Sequence, residues 1–151
     1  DWIFVTGVLG GSLASHHLTF MPRIREAMLL REMVSLHAMI DISDGLASDL
    51  QHITTESGVG AVIRSEQIPI NACLSTELTE AERLQKALSD GEDFELLFTV
   101  SPEDGQKLLE QNPLSIPLTH VGEINSGQGA FLQQPDGSRV SLERSGWQHQ
   151  L

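Results

Sequence analysis

Apolar residues crowd into short continuous runs at some points of this chain and recur at helical spacing at others. The runs Trp2-Ile3-Phe4-Val5, His37 to Ile42, Val59 to Arg64, Leu96 to Val100 and Ile116 to Ile124 predict strands. Between them lie helical patterns. Pro22 opens one over Arg23 to Met33. Leu46, Leu50 and Ile53, at i, i+4, i+7, predict a second that stops at Ser57-Gly58. A third covers Glu80 to Leu88, with Ala81, Leu84 and Leu88 on one side. A fourth starts at Ser101-Pro102-Glu103, with Ser101 as its cap and Leu108 and Leu109 facing inward. Thr6 to Ser12 is a Gly-rich turn leading toward a short helix through Leu13 and Ala14. Ile68-Pro69-Ile70 is extended, and Asn71 to Thr79 is a polar loop. Pro135-Asp136-Gly137 is a turn joining Ala130 to Gln133 and Arg139 to Leu142 as a hairpin. Alternation of strands and helices with a closing hairpin predicts one α/β (α+β) domain, a mixed β-sheet covered by helices.

The chain is organised around Met39-Ile40-Asp41-Ile42-Ser43-Asp44-Gly45-Leu46-Ala47-Ser48-Asp49-Leu50. Its apolar run breaks at Ser-Asp-Gly and a helix follows, which gathers two carboxylates and a hydroxyl at a strand–turn–helix junction. Asp44 stands where an N-cap belongs, a role worth about 1 kcal/mol. The same junction has a second reading. A helix N-terminus favours phosphate oxygens, and Asp41 and Asp44 are hard oxygen donors of the kind that hold Mg²⁺ together with substrate phosphates. Spacing alone does not separate the cap from the metal site.

A second acidic stretch, Gly91-Glu92-Asp93-Phe94-Glu95, places three carboxylates beside a glycine. Such groups repel unless cations or donors compensate, so the stretch reads either as a site or as a solvated turn entering a strand. The Gly-rich turn lacks the lysine and spacing of a phosphate loop and reads as structural. Arg23, Arg25 and Arg31 either face an anionic ligand or form a solvated helix face. His16 and His17 are adjacent and point apart, a poor metal pair, and His120 and His149 have no assigned role. Trp147 near the end of the sequence packs on the core or stacks on a ligand.

Composition narrows the classes. A net charge of −12 over 151 residues excludes the basic surface that nucleic-acid binding needs. With 5% aromatic residues and no tyrosine, the core is built from Leu, Ile, Val and Ala. Cys73 is the single cysteine. It forms no intrachain disulfide, fits a reducing cytoplasm, and is expected as a half-buried small apolar residue. No stretch approaches the ~20 apolar residues of a membrane span. The opening Asp-Trp-Ile-Phe-Val reads as a piece of a longer protein.

Four segments, in order, carry a resemblance. Val5-Thr6-Gly7-Val8-Leu9-Gly10, Asp41-Ile42-Ser43-Asp44-Gly45-Leu46 with Asp49-Leu50 and Ser57 to Ala61, Gly91-Glu92-Asp93-Phe94-Glu95-Leu96-Leu97-Phe98, and Gly146-Trp147-Gln148-His149 resemble the C-terminal half of thiamine-monophosphate kinase. That family sits in the superfamily of aminoimidazole ribonucleotide synthetase and selenophosphate synthetase. The resemblance implies ATP-dependent phosphorylation of thiamine monophosphate to thiamine diphosphate with Mg²⁺, by direct in-line transfer without a general base. It implies that Asp41 and Asp44 bind Mg²⁺, that Ser43 contacts ATP, that Glu92 contacts thiamine monophosphate, and that Trp147 lines its aromatic ring. It also implies an N-terminal domain, absent from this chain, that supplies further aspartates and through which the whole protein forms a homodimer. Without that domain the fragment is expected to be inactive. Asp90 and Phe94 depart from the Gly and Tyr common in the family. The rivals are a superfamily member acting on another acceptor and a non-catalytic module that binds a nucleotide or a partner.

Overall fold

The first strand shows why its sequence is apolar without a break. In the computed structural model, which describes residues 1–11 and 21–142, Trp2–Thr6 forms β1. Successive strand side chains point to opposite faces. Ile3 and Val5 enter one core, Phe4 enters another, and all three are fully buried. A strand covered on both faces admits a polar residue only where it is hydrogen-bonded, as the buried Thr6 at its end is.

After β1 come α1 (Ile24–Met33), β2 (Leu36–Asp41), α2 (Leu46–Ser57), β3 (Gly60–Arg64), a 3₁₀ turn (Ser65–Gln67) and α3 (Glu80–Ser89). They are followed by β4 (Leu96–Val100), α4 (Pro102–Glu110), β5 (Leu118–Asn125), β6 (Gly129–Gln133) and β7 (Arg139–Ser141). The strands form one sheet in the order β2-β4-β1-β5-β3-β6-β7. Every pairing is antiparallel except β3 with β6, so the sheet is mixed as expected.

The two cores are the two faces of this sheet. On one, Leu46, Ala47, Leu50 and Ile53 of α2 and Ala87 and Leu88 of α3 pack on Ile3, Val5, Ile63, Leu97 and Val121. On the other, Leu30 of α1 and Leu108 of α4 pack on Phe4, Phe98 and Val100. The Phe4 and Phe98 rings stack at 5.6 Å. Gly105 lets α4 lie close on β1, since a Cβ there would stand 2.5 Å from the Trp2 ring.

Helix ends follow local chemistry. Gly58 closes α2 in the left-handed conformation, and Ser101 Oγ caps α4 by accepting from Asp104 N at 3.1 Å. Thr79 and Glu82 form a reciprocal capping box on α3. Three expectations are corrected. Leu109 is exposed while Leu108 is buried, because consecutive helical residues point about 100° apart and one helix face meets the sheet. Cys73 is exposed rather than half-buried, in the polar loop before α3. Asp44 does not cap α2. Gly45 holds the N-cap position at φ 103°, and no side-chain cap bond forms from it.

Candidate active site

Three segments converge at the end of the sheet where β1 and β2 finish and β4 begins: the turn 6–11, the turn 41–45 and the loop 90–95. Asp41 pairs with Leu96 as the last register of β2 and β4. Beyond it the two chains stay joined by three backbone bonds. Ile42 N donates to Glu95 O, Phe94 N to Ile42 O, and Glu92 N to Ser43 O, each at 2.8 Å. Gly91 makes the approach possible, since a Cβ there would stand 2.5 Å from Ser43 O. Glu92 and Phe94 adopt φ of 65° and 51°. Left-handed backbone at residues other than glycine costs on the order of 1–3 kcal/mol and persists where surrounding contacts dictate it. Here those contacts are the bonds to Ile42 and Ser43.

The acidic residues sort by direction. Asp41, Asp44 and Glu92 are exposed, and Ser43 is half-buried beside them. Asp49, Asp93 and Glu95 turn inward and bind protein groups. Glu95, 5% exposed, accepts from Thr6 Oγ1 at 2.7 Å and from Arg23 Nε and Nη2 at 2.9 and 2.6 Å. Thr6 Oγ1 in turn accepts from Leu96 N at 2.8 Å. The hydrogen bond to Glu95 raises the Arg23 pKa above its ordinary value, against the opposing effect of burial. Arg23 is therefore committed to a protein carboxylate, while Arg25 and Arg31 are exposed. Both Asp93 carboxylate oxygens accept from Gly10 N at 3.1 Å, and Asp90 accepts from Gly11 N at 3.4 Å and lies 3.6 Å from Lys86. These two amides of the Gly-rich turn are thus engaged by side chains rather than open to phosphate.

Asp49 reaches back from inside the helix to the turn that precedes it. Its Oδ2 accepts from Ser43 N at 2.9 Å and Asp44 N at 3.1 Å. Burial raises its pKa above the usual carboxylate value, and the two amides oppose that shift. The signal for Asp49 was present in the sequence. It falls at i+3 from Leu46 on the stripe that continues through Leu50 and Ile53, where an apolar residue belongs. No comparable signal marked the Arg23–Glu95 pair.

Among the described residues, Asp44, Asp49 and His52 offer ligand atoms within 4.8 Å of one another. Asp41 is not in that group. Carboxylate oxygens suit Mg²⁺, whereas an imidazole suits transition metals better. The exposed Asp44 carboxylate therefore fits Mg²⁺, while Asp49 Oδ2 is already engaged by the Ser43 and Asp44 amides and His52 does not improve the fit. Trp147, with the motif around it, lies outside the described residues, as do His16, His17, His149 and the short helix expected at Leu13 and Ala14. Among the described residues no helix is long and apolar enough to cross a membrane.

This geometry can be set beside known proteins. The family model for AIR synthase related protein, C-terminal domain, matches residues 6–134. The thiamine-monophosphate kinase of Rhodopirellula baltica is 41% identical over 133 residues, 87% of this chain and 42% of the relative. The crystal structure of thiamine-monophosphate kinase from Stenotrophomonas maltophilia K279a has a TM-score of 0.78 at 31% identity, covering 93% of this chain and 51% of that one. AaThiL complexed with AMPPCP and TMP gives 0.71 at 30% identity, covering 99% and 51%. The chain spans about half the length of the curated relatives it matches. The match takes in the turn 41–45, the loop 90–95 and strands β2 to β6, so the chain belongs to the AIR synthase related family, whose C-terminal domain it carries.

Proposed function

We propose that this chain is the C-terminal domain of a two-domain kinase that phosphorylates thiamine monophosphate to thiamine diphosphate with ATP and Mg²⁺. The observation that carries the reading is the clamped pair of segments 41–45 and 90–95, which exposes Asp41, Asp44 and Glu92 at one end of the sheet. Relatives bearing the thiamine-monophosphate kinase name, one of them solved with AMPPCP and TMP, support it.

Phosphoryl transfer between two anions demands positioning and charge neutralisation more than covalent chemistry by the protein. In this reading Asp41 and Asp44 hold Mg²⁺ and Ser43 contacts ATP. Bound Mg²⁺ supplies neutralisation of phosphate charge. Glu92 pairs with the cationic thiamine moiety and Trp147 offers it a flat face. An N-terminal domain completes the nucleotide pocket and forms the homodimer, and the enzyme works in the cytoplasm. No side chain here is asked to act as a general base.

The test uses the full-length polypeptide with ATP, Mg²⁺ and thiamine monophosphate. The expected result is thiamine diphosphate, lost when Asp44→Asn is introduced into a protein that still folds. Bound ATP without product would overturn the acceptor and direct the search to other substrates of the superfamily.

A further inference from the structure

The two peptide units on either side of Ser43 are held at both ends. In the first, Ser43 N donates to Asp49 Oδ2 at 2.9 Å, and Ile42 O accepts from Phe94 N at 2.8 Å. In the second, Asp44 N donates to the same oxygen at 3.1 Å, and Ser43 O accepts from Glu92 N at 2.8 Å. A peptide unit is planar, so fixing its N–H and its C=O fixes its orientation. One side of this clamp is made by backbone amides, those of Glu92 and Phe94, and uses no side-chain atom. The other side is a single carboxylate that is 1% exposed. Gly45, at the N-cap, has no side chain to share the task, and a Cβ there would stand 3.0 Å from Leu88 O.

We infer that Asp49 is a positioning residue for the metal–nucleotide half of the site, acting through Ser43 and Asp44 and not as a ligand itself. The inference rests on the function proposed above for those two residues. Without Asp49 both peptide units are free to rotate about their remaining bonds, which turns the Ser43 hydroxyl and the Asp44 carboxylate away from a shared ligand. Glu92, attached to the opposite side of the clamp, keeps its place. The consequence is selective: the Mg²⁺–nucleotide half of the site loses alignment while the acceptor half does not.

The test uses the full-length protein and three readouts: amide hydrogen exchange at Ser43 and Asp44, calorimetric titration of a non-hydrolysable ATP analogue against Mg²⁺ concentration, and the KM for thiamine monophosphate. The ligand-free wild type should show slow exchange at both amides. Asp49→Ala should speed it and raise the Mg²⁺ concentration for half-maximal analogue binding roughly 10-fold, the effect typical of losing a residue that orients a metal ligand. The KM for thiamine monophosphate should stay within about twofold of wild type. Asp49→Asn keeps an acceptor oxygen and should recover most of the Mg²⁺ response. Fast exchange in the wild type would overturn the inference without any variant, which covers the case where Asp49→Ala does not fold. So would an unchanged Mg²⁺ response in folded Asp49→Ala, or equal losses for nucleotide and acceptor. A wild type that binds Mg²⁺ and the analogue but makes no thiamine diphosphate would overturn the proposed acceptor alone, and the exchange and calorimetry would still decide the role of Asp49.

Discussion

The turn at 41–45 and the loop at 90–95 are both acidic, and both are held by inward carboxylates, but the holding differs in reach. Asp49 grips amides six and five residues earlier in the chain. Glu95 grips Arg23 and Thr6 across 72 and 89 residues, and Asp93 grips Gly10 across 83. Closing a loop of about 80 residues costs roughly 2 kcal/mol more than closing one of six. The turn can therefore order itself once α2 forms, whereas the loop is ordered only by a sheet that has already brought β1, α1 and β4 together. Acidity alone says little about function in either region. Direction separates the carboxylates: the inward Asp49, Asp93 and Glu95 bind protein groups, and Asp41, Asp44 and Glu92 are exposed, which is why the proposed function assigns ligands to those three.

The largest effect that could break this comparison comes from the long-range side. Glu95→Ala strands the Arg23 guanidinium, whose side chain is 24% exposed, together with the Thr6 hydroxyl. Removing one partner of a buried ion pair costs about 3 kcal/mol at the exposed end of its usual range. Urea unfolding should show that loss, and the double variant Arg23→Met with Glu95→Leu should regain much of it. An unfolding free energy for Glu95→Ala within about 1 kcal/mol of wild type would show that the pair does not organise the loop. Next in size is Gly91→Ala, where the two regions meet. Its Cβ would press on Ser43 O, and overpacking of this kind costs about 2 kcal/mol. Hydrogen exchange should rise at Glu92 and Phe94, whose amides bond to Ser43 and Ile42. Unchanged exchange there would mean that the turn and loop are not coupled through this contact.

The same contrast in reach explains what could be read from the sequence. Helices α1 to α4, the central strands and the closing hairpin were legible because hydrophobic period and turn residues are local signals. Convergence of Asp41, Ser43, Asp44 and Glu92 followed from family resemblance, not from spacing, since nothing local tells residue 92 that it will lie on residue 43. The cap was misread for a physical reason. Asp44 is of the right type, but the turn has φ 103° at the next residue, so glycine takes the N-cap, and the Asp44 amide itself donates, with that of Ser43, to Asp49 in the first turn of the helix. Arg23 and Glu95 are 72 residues apart, and the sequence offered each a ligand site or a solvated face but no pairing with the other. Strand order was equally silent, because β6 joins β3 in parallel after a short turn from β5, with β3 lying between them.

Within the turn, Asp44 and Asp41 sharpen the comparison further. Asp44 shares ligand reach with Asp49 and His52, and Asp41 does not. In the full-length protein Asp44→Asn should abolish thiamine diphosphate formation, whereas Asp41→Asn should leave activity but raise the Mg²⁺ concentration for half-maximal rate by roughly 10-fold. The reverse order would place the metal on the strand side of the turn and weaken the division between inward and outward carboxylates.

The smallest effect belongs to a residue outside both regions, and it serves as their reference. His120 on β5 stacks on Trp2 at 4.3 Å and on Phe4 at 5.3 Å, with Nε2 2.9 Å from Gly122 O. Burial lowers its pKa below the ordinary value; the Gly122 carbonyl opposes this, Arg64 adds to it and Glu123 counters. A histidine kept neutral in the fold binds protons less readily than in the unfolded chain. Its contribution to stability is therefore present above pH 6.5 and is lost as pH falls from there through the folded-state pKa. Urea midpoints between pH 7 and 5 should fall in the wild type, and His120→Gln should flatten that decline. Glu95→Ala and Gly91→Ala should each lower stability at every pH while leaving the decline intact. If either variant also flattened it, the loop and the β5 histidine would belong to one cooperative network, and the separation between the site's two regions and the rest of the sheet would not hold.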